Sequence, residues 1–363
     1  MAQEDAVWAL GLMSGTSMDG VDAAMVLTDG IEVFEFGATG FRPYSRQEQA
    51  VISAAQGRWP EESGVEAAEG VVRAAHQELI ARFGGVALVG FHGQTLAHDP
   101  GGRGTHQVGD GAALARAVGK PVVWDFRSAD VAAGGQGAPL APFYHFALAK
   151  RVGEGPLAFL NLGGVGNVSF VNPLAEAPER TGALLAFDTG PANALMDDFA
   201  RERTGLACDY GGTLAAAGQV DEAIVDRFLA GSYFSQKPPK SLDRYDFTDL
   251  VTAVQELSDM DGLATLAQAT VASVKHGFRY APKSLEKVLV CGGGRKNDHL
   301  MAGLRANLDV EVLDVDTAGF DGDMLEAQAF AYLAVRSQKG LALSAPQTTG
   351  VKAALSGGQV STP

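Results

Sequence analysis

Val7-Trp-Ala-Leu-Gly-Leu-Met-Ser-Gly-Thr-Ser-Met-Asp-Gly-Val-Asp-Ala-Ala-Met-Val-Leu27 is the stretch whose reading decides the fold. Its two ends, Val7 to Met13 and Val21 to Leu27, are short apolar runs without helical period, the pattern of buried strands. Between them, Ser14 to Gly20 is rich in turn formers. A third run, Ile31-Glu-Val-Phe-Glu-Phe36, alternates apolar and polar residues as a half-exposed strand does. Three strands in succession, joined by short turns, make an antiparallel opening and not a βαβ unit. The first turn also has the makings of an anion site. Gly15 and Gly20 tolerate positive φ and let a ligand approach the main chain, Thr16 and Ser17 add hydroxyls, and successive N–H groups can form a nest. No Lys follows and the next element is a strand, so it is not a Walker loop. An ordinary hairpin turn is the alternative.

Downstream, Arg46 to Ala55 and Glu61 to Arg82 have helical spacing, and Val86 to Phe91 is a buried-type strand that runs into His92-Gly-Gln-Thr95. Gly109 to Val118 predicts a helix, and Pro121 to Trp124 a strand ending at Asp125-Phe-Arg127. Ala132 to Pro142 is rich in Gly and Pro and marks a domain boundary. The second half repeats the theme. Leu157 to Leu162 and Asn167 to Val171 read as strands around the turn Gly163 to Gly166, and Gly182 to Phe187 as a further strand before Asp188-Thr-Gly-Pro191. Helices follow at Ala192 to Arg203 and Leu263 to Phe278; then Lys287 to Cys291 is a strand feeding Gly292-Gly-Gly294, with helices at Asp298 to Leu308 and Asp323 to Val335. Each half holds a strand–glycine turn–strand hairpin, which points to an internal duplication of fold. The expected domains are residues 1–135 and 136–335, with the tail 336–363 returning to the first.

Several residues in this frame could carry chemistry. A carboxylate at a strand's end in an α/β protein faces the crevice where ligands bind, so Asp188 is a candidate general base, with helix capping as the alternative. Gly292, Gly293 and Gly294 at a strand end let a flat ring or a phosphate lie against the backbone, next to Asn297. His92 is a pocket contact beside Gln94 and Thr95. Arg127 could pair with a substrate carboxylate in bidentate fashion, or with a structural neighbour. Lys237 and Lys240 flank two prolines, fit for phosphate contact or plain solvation. No zinc spacing and no Gly-x-Ser-x-Gly elbow occurs.

Composition narrows the class further. At 363 residues with 46% hydrophobic and 20% charged residues, the chain reads as a globular protein of about two domains. The formal charge of −15 argues against a nucleic-acid partner. Cys208 and Cys291 read as two reduced thiols. The acidic N-terminus lacks a signal-peptide pattern and no apolar run approaches a membrane span, so a cytoplasmic location without membrane contact is expected.

The two glycine turns at hairpins, the strand-end Asp-Thr-Gly and the late Gly-Gly-Gly together resemble the actin-like ATPase superfamily, which includes sugar kinases. Gly11 to Asp22, Phe91 to Thr95, Ala132 to Pro139, Phe187 to Pro191, Pro238 to Ser241 and Cys291 to Gly294, in this order, resemble the anhydro-N-acetylmuramic acid kinase family. The resemblance implies an α/β fold of two related domains, each a mixed sheet flanked by helices, with a cleft between them. It implies ATP and Mg²⁺ as cofactors, the ion held through ATP phosphates, and a homodimer. It also implies that 1,6-anhydro-N-acetylmuramic acid is opened by water and phosphorylated on its 6-oxygen. Asp188 then matches the family's base. ATP and its phosphates would meet Gly15, Thr16, Ser17, Met18, Asp19, Gly20, Val21, Asp22, Gly163, Gly164, Asn167, Thr189, Gly190, Gly292, Gly293, Gly294 and Asn297. The sugar would meet His92, Gln94, Asp125, Arg127 and Glu326. A kinase for another amino sugar or hexose, and a chaperone-like or filament-forming ATPase, are the alternatives.

Overall fold

The antiparallel opening forms. In the computed structural model, which describes residues 5–153, 155–242 and 244–363, strand β1 (Val7–Ser14) pairs with β2 (Gly20–Thr28), and β2 pairs with β3 (Val33–Pro43), both antiparallel. Strand β3 starts later than alternation predicts because Asp29 accepts the N–H groups of Ile31 and Glu32 at 2.8 and 2.7 Å, holding them in a turn. On the other side of β1, β4 (Leu88–Asp99) and then β6 (Val122–Trp124) run parallel, with β5 (Gly104–Val108) as a hairpin on β4. Strand β4 continues through His92 to Thr95, so these residues lie within a strand and not beyond its end.

The second sheet repeats this plan. Strands β7 (Leu157–Leu162), β8 (Val165–Val171) and β9 (Leu184–Pro191) are joined antiparallel in succession. Strands β10 (Lys287–Cys291) and β11 (Glu311–Asp314) add parallel on the far side of β7. Ordered across each sheet, the strands read third, second, first, fourth, followed by one further parallel strand, β6 in the first sheet and β11 in the second. The duplication suggested by the two glycine hairpins is therefore present in the strand order itself. The fold is α/β with two mixed sheets and flanking helices.

By contact the chain forms two compact units: Met1–Arg151 with Ala177–Thr181 and Met324–Pro363, and Val152–Glu176 with Gly182–Asp323. The chain thus leaves the first unit after Arg151, beyond the glycine-rich connector, because Pro142–Val152 is a helix with most of its residues buried in the first unit. The closing helix Leu325–Gln338 also belongs to the first unit and not to the second half. Sequence order hides this because the helix is buried nearly all round, from Leu325 to Ser337, and shows no polar face. After it, Gln359–Ser361 forms β12, antiparallel to β6 at the sheet edge.

Two strand glycines set how close that helix comes. A Cβ on Gly11 would lie 1.9 Å from the Ala327 carbonyl oxygen and 2.3 Å from the Ala331 nitrogen; one on Gly90 would lie 2.2 Å from the Phe330 oxygen. Gly11 is thus a packing residue and not part of the ligand turn. Gly11→Ala should cost about 3 kcal/mol by overpacking. Gly70→Ala, inside the helix Val65–Ile80 with nothing within 4 Å of its new Cβ, should instead stabilise by about 1 kcal/mol. Denaturant midpoints that move in opposite directions for one chemical change would bear this out; similar shifts would refute it.

Candidate active site

The turn between β1 and β2 is exposed at Thr16 and Ser17 and braced from beneath. The Ser14 hydroxyl donates to Gln94 Oε1 at 2.6 Å and meets the Tyr44 hydroxyl at 3.0 Å. Gln94 Nε2 in turn donates to the Gly15 carbonyl at 3.2 Å. On the other arm, Gln49 Nε2 donates to the Met18 carbonyl at 3.1 Å and the Tyr44 N–H to the Asp19 carbonyl at 2.9 Å. The Met18 N–H closes the turn on the Gly15 carbonyl at 3.1 Å, with Met18 at φ 55°. A methionine held in this left-handed region marks a conformation fixed by its surroundings. A Cβ at Gly15 meets only the Ser17 hydroxyl, at 3.6 Å, so a ligand has room there. Gly20 and Val21 serve packing: a Cβ on Gly20 would sit 2.5 Å from the Phe41 ring, and Val21 is fully buried. Gln94, also fully buried, acts through the turn.

A second cluster of the same unit gathers His92, Arg127 and Glu326. Arg127 Nε donates to His92 Nε2 at 3.1 Å, and the His92 Nδ1–H donates to the Gly93 carbonyl at 2.9 Å, which fixes the tautomer. Burial and then the Arg127 charge hold the His92 imidazole neutral, well below its ordinary pKa. Arg127 also donates to the Gly137 carbonyl at 2.7 Å. Burial lowers it to about 10, opposed by the charges of Glu326 and Asp130. It stays cationic at neutral pH. Asp125 is not part of this group: its carboxylate takes the Ser128 hydroxyl and, at 2.8 Å, the Gln359 amide of β12.

In the second unit, Asp188 lies on β9 directly across from Asn167 of β8, which is itself across from Asn161 of β7. Cross-strand partners share a face, so the three polar side chains form a row at one end of the sheet. The helix that follows starts at Asn193 with Ala192 as its cap and no capping side chain, so Asp188 is free of that role. Its Oδ2 accepts the Leu242 N–H at 2.8 Å, its own N–H donates to the Lys240 carbonyl at 3.1 Å, and the Tyr233 hydroxyl donates to its carbonyl. Burial pushes the carboxyl up to about 7; the Leu242 N–H opposes this and loses.

The whole chain matches one family. The model of "Anhydro-N-acetylmuramic acid kinase" fits residues 7–362. Proteins of that name from Cereibacter sphaeroides, Ruegeria sp. and Roseobacter denitrificans are 62%, 56% and 53% identical to it. The alignments span 100%, 98% and 100% of this chain and 98%, 95% and 96% of theirs. The chain belongs to the anhydro-N-acetylmuramic acid kinase family. It is accordingly a phosphotransferase that uses ATP with a small-molecule acceptor, and an ATPase that only changes shape no longer fits.

Within this kinase the remaining glycines divide between ligand space and packing. Gly163 and Gly164, between β7 and β8, have no atom closer than 3.6 Å to an added Cβ. Gly292, at φ 74°, and Gly294 are needed for packing, since their Cβ atoms would fall 2.3 Å from Asn161 Oδ1 and 2.5 Å from Leu162 Cβ. Only Gly293 of the three is exposed. Asn297 caps the helix Asp298–Asn307 through the Leu300 N–H at 3.1 Å. Thr189 sits at a register shift where β9 bulges against β8, and its buried hydroxyl has no hydrogen-bond partner among the described residues. That side chain faces the interior, against Gly166, so only its backbone could reach a phosphate. A Cβ on Gly190 would meet Ser273 at 2.6 Å, so that glycine serves packing too.

Three participants escape sequence reading. Asn161 had a signal, a lone amide in the apolar run Leu157 to Leu162. Tyr233 and the Leu242 N–H had none. The braced turn yields a test: Gln94→Leu takes one of two partners from both the Ser14 hydroxyl, which keeps Tyr44, and the Gly15 carbonyl, which keeps the Met18 N–H, at a cost of about 1–2 kcal/mol. Thermal unfolding should reveal this together with a raised KM for ATP; unaltered values for both would remove Gln94 from the brace.

Proposed function

We propose that this kinase opens 1,6-anhydro-N-acetylmuramic acid with water, phosphorylates the freed 6-oxygen from ATP and releases N-acetylmuramate 6-phosphate and ADP. The role is recycling of cell-wall peptidoglycan, in the cytoplasm and as a homodimer. Among the described residues no helix is long and apolar enough to cross a membrane. The observation that carries the chemistry is Asp188, a carboxylate within β9, three residues before its end, whose proton affinity burial raises to near neutral pH. It takes a proton from water as the oxygen bonds to the anomeric carbon. The bond from that carbon to the bridging oxygen breaks, its electron pair stays on the 6-oxygen, and that oxygen attacks the γ-phosphorus as ADP departs. Asn167, next to Asp188 in the row, and Asn161 beyond it orient water and sugar.

Thr16, Ser17 and the N–H groups of the first turn contact phosphate, with Gly163, Gly164 and Gly293 giving a nucleotide access to bare backbone. His92, Arg127 and Glu326 hold the sugar, with Arg127 on the lactyl carboxylate. Mg²⁺ is read as arriving on the ATP phosphates, near Asp19 and Asp22, since this ion keeps several waters and is commonly held through substrate phosphates. When bound, it neutralises developing phosphate charge.

Incubation with ATP, Mg²⁺ and the anhydro-sugar should give a product heavier by one phosphoryl group and one water. Phosphorylation without water would point to a kinase for an ordinary sugar. Asp188→Asn should bind ATP as before, yet lose turnover on the order of a thousandfold. It removes a carboxylate that burial disfavours, so at pH 8 it should unfold at an equal or higher temperature, which separates lost chemistry from lost fold. A base must be ionised to act. Activity should therefore climb about tenfold per pH unit below about 7 and level off above it; a flat profile from pH 5 to 8 would count against Asp188.

A further inference from the structure

We propose that Lys240 is a positioning residue for the reaction: its ammonium, seated on aromatic rings, latches the segment that presents the Leu242 N–H to Asp188. The proposal rests on Asp188 being the base. Lys240 is buried, unlike exposed Lys237 three residues before it. Its Nζ lies 4.0 Å from the centre of the Tyr233 ring, 5.9 Å from that of Phe234 and 6.0 Å from that of Phe187, and donates to the Tyr233 carbonyl at 3.0 Å. A cation over ring faces is attracted by their quadrupoles, most strongly where water is excluded. Phe187 immediately precedes Asp188, so the cation grips the base's own strand as well as the helix Ser232–Ser235.

The main chain at Lys240 and Leu242 then forms a two-point clamp. The Lys240 carbonyl accepts the Asp188 N–H, and the Leu242 N–H reaches Asp188 Oδ2. One carboxylate oxygen is thereby occupied and oriented, leaving Oδ1 for a proton. The ring platform is anchored behind: His276 Nε2 and Arg279 both donate to the Phe234 carbonyl, at 2.8 and 2.6 Å.

Charge transfer to the base is not how Lys240 works. Among the described residues its hydrogen bond goes to the Tyr233 carbonyl, and what shapes the Asp188 proton affinity is burial and the Leu242 N–H. The titratable groups around Asp188 are Tyr233, whose hydroxyl is kept protonated by burial and by the Asp188 and Asp246 charges, and, behind the rings, Lys240, His276 and Arg279. Burial and Arg279 lower Lys240 to about 8, so it remains mostly charged at pH 7.

Loosening the latch withdraws an N–H that favours the ionised carboxylate, so the Asp188 proton affinity must rise. Lys240→Gln and Lys240→Met should each lower kcat at pH 7 by about ten- to a hundredfold, the scale of a misplaced catalytic group. The acid limb of the pH profile should move upward by roughly one pH unit, while KM for ATP and for the anhydro-sugar stay near wild type. Lys240→Arg, which keeps a ring-stacked cation, should restore most of kcat and return the limb towards its original place. Lys240→Gln is the variant to rely on if Lys240→Met fails to fold, because its amide can still meet the Tyr233 carbonyl. Wild-type kcat and limb in Lys240→Gln overturn the proposal, as does Lys240→Arg as impaired as Lys240→Gln. Asp188→Asn assayed alongside separates the two ideas: turnover surviving there defeats the base itself, whereas a dead Asp188→Asn beside a normal Lys240→Gln defeats only the latch.

Discussion

The first unit depends on a backbone-to-backbone contact between a helix and a sheet. Leu325–Gln338 can lie on β1 and β4 only because Gly11 and Gly90 have no side chains; methyl groups there would fall within about 2 Å of helix main-chain atoms. The consequences reach the cluster of His92, Arg127 and Glu326. Closeness brings Phe330 onto the His92 ring, centres 4.6 Å apart, and Gln328 to the Tyr144 hydroxyl at 2.9 Å. It also sets Glu326, in the helix's first turn, within electrostatic reach of Arg127. A residue more than 300 positions from the first strand thus joins a group built on β4 and the end of β6. Two glycines chosen for packing determine where Glu326 stands against Arg127.

The second unit shows the opposite economy, in which a destabilised group is tolerated. Burial of Asp188 works against the ionised form, and a single N–H from Leu242 does not cancel it. The usual remedy would be a cation at hydrogen-bond distance, and one is available in the same loop. Lys240 is spent instead on the rings of Tyr233, Phe234 and Phe187. Had it paired with Asp188, the carboxylate would be stable and a poor base. Keeping cation and carboxylate apart leaves the Asp188 carboxyl near neutral pH, the range the proposed base needs, held in place by main-chain groups that carry no net charge.

The strands that open each sheet were legible because apolar runs with turn formers between them survive any context, and both hairpins with their glycine turns were readable this way, whereas the short strands β5, β11 and β12 were not. Boundaries were not, where a side chain intervened: Asp29 delays β3 by capturing the next two amides, which alternation alone cannot reveal. Unit membership of the last helix was hidden because burial on every side erases the periodic polar face. At the site, Asp188 stood out by position and type. Its environment did not, since the Leu242 N–H is a main-chain group that every residue but proline has, and a bulge at Thr189 leaves no compositional trace. Glycine runs misled in a specific way. Gly292, Gly293 and Gly294 look alike in sequence, yet two fill space that a neighbour denies to a Cβ and one faces solvent.

The duplicated plan also explains why the two hairpins are not interchangeable. In the first, five residues separate β1 from β2, enough for Thr16 and Ser17 to project while Gln94 and Gln49 hold the turn at its two carbonyls. In the second, only Gly163 and Gly164 separate β7 from β8, and they offer bare main chain. A long turn offers hydroxyl donors but must be braced, since a flexible loop loses conformational entropy when it orders around a phosphate. A two-residue turn is already ordered and needs no brace, but contributes only amides. One topology, copied, thus yields two kinds of turn, one presenting hydroxyls and one bare main chain, and the difference lies in three inserted residues and the buried amide side chains that discipline them.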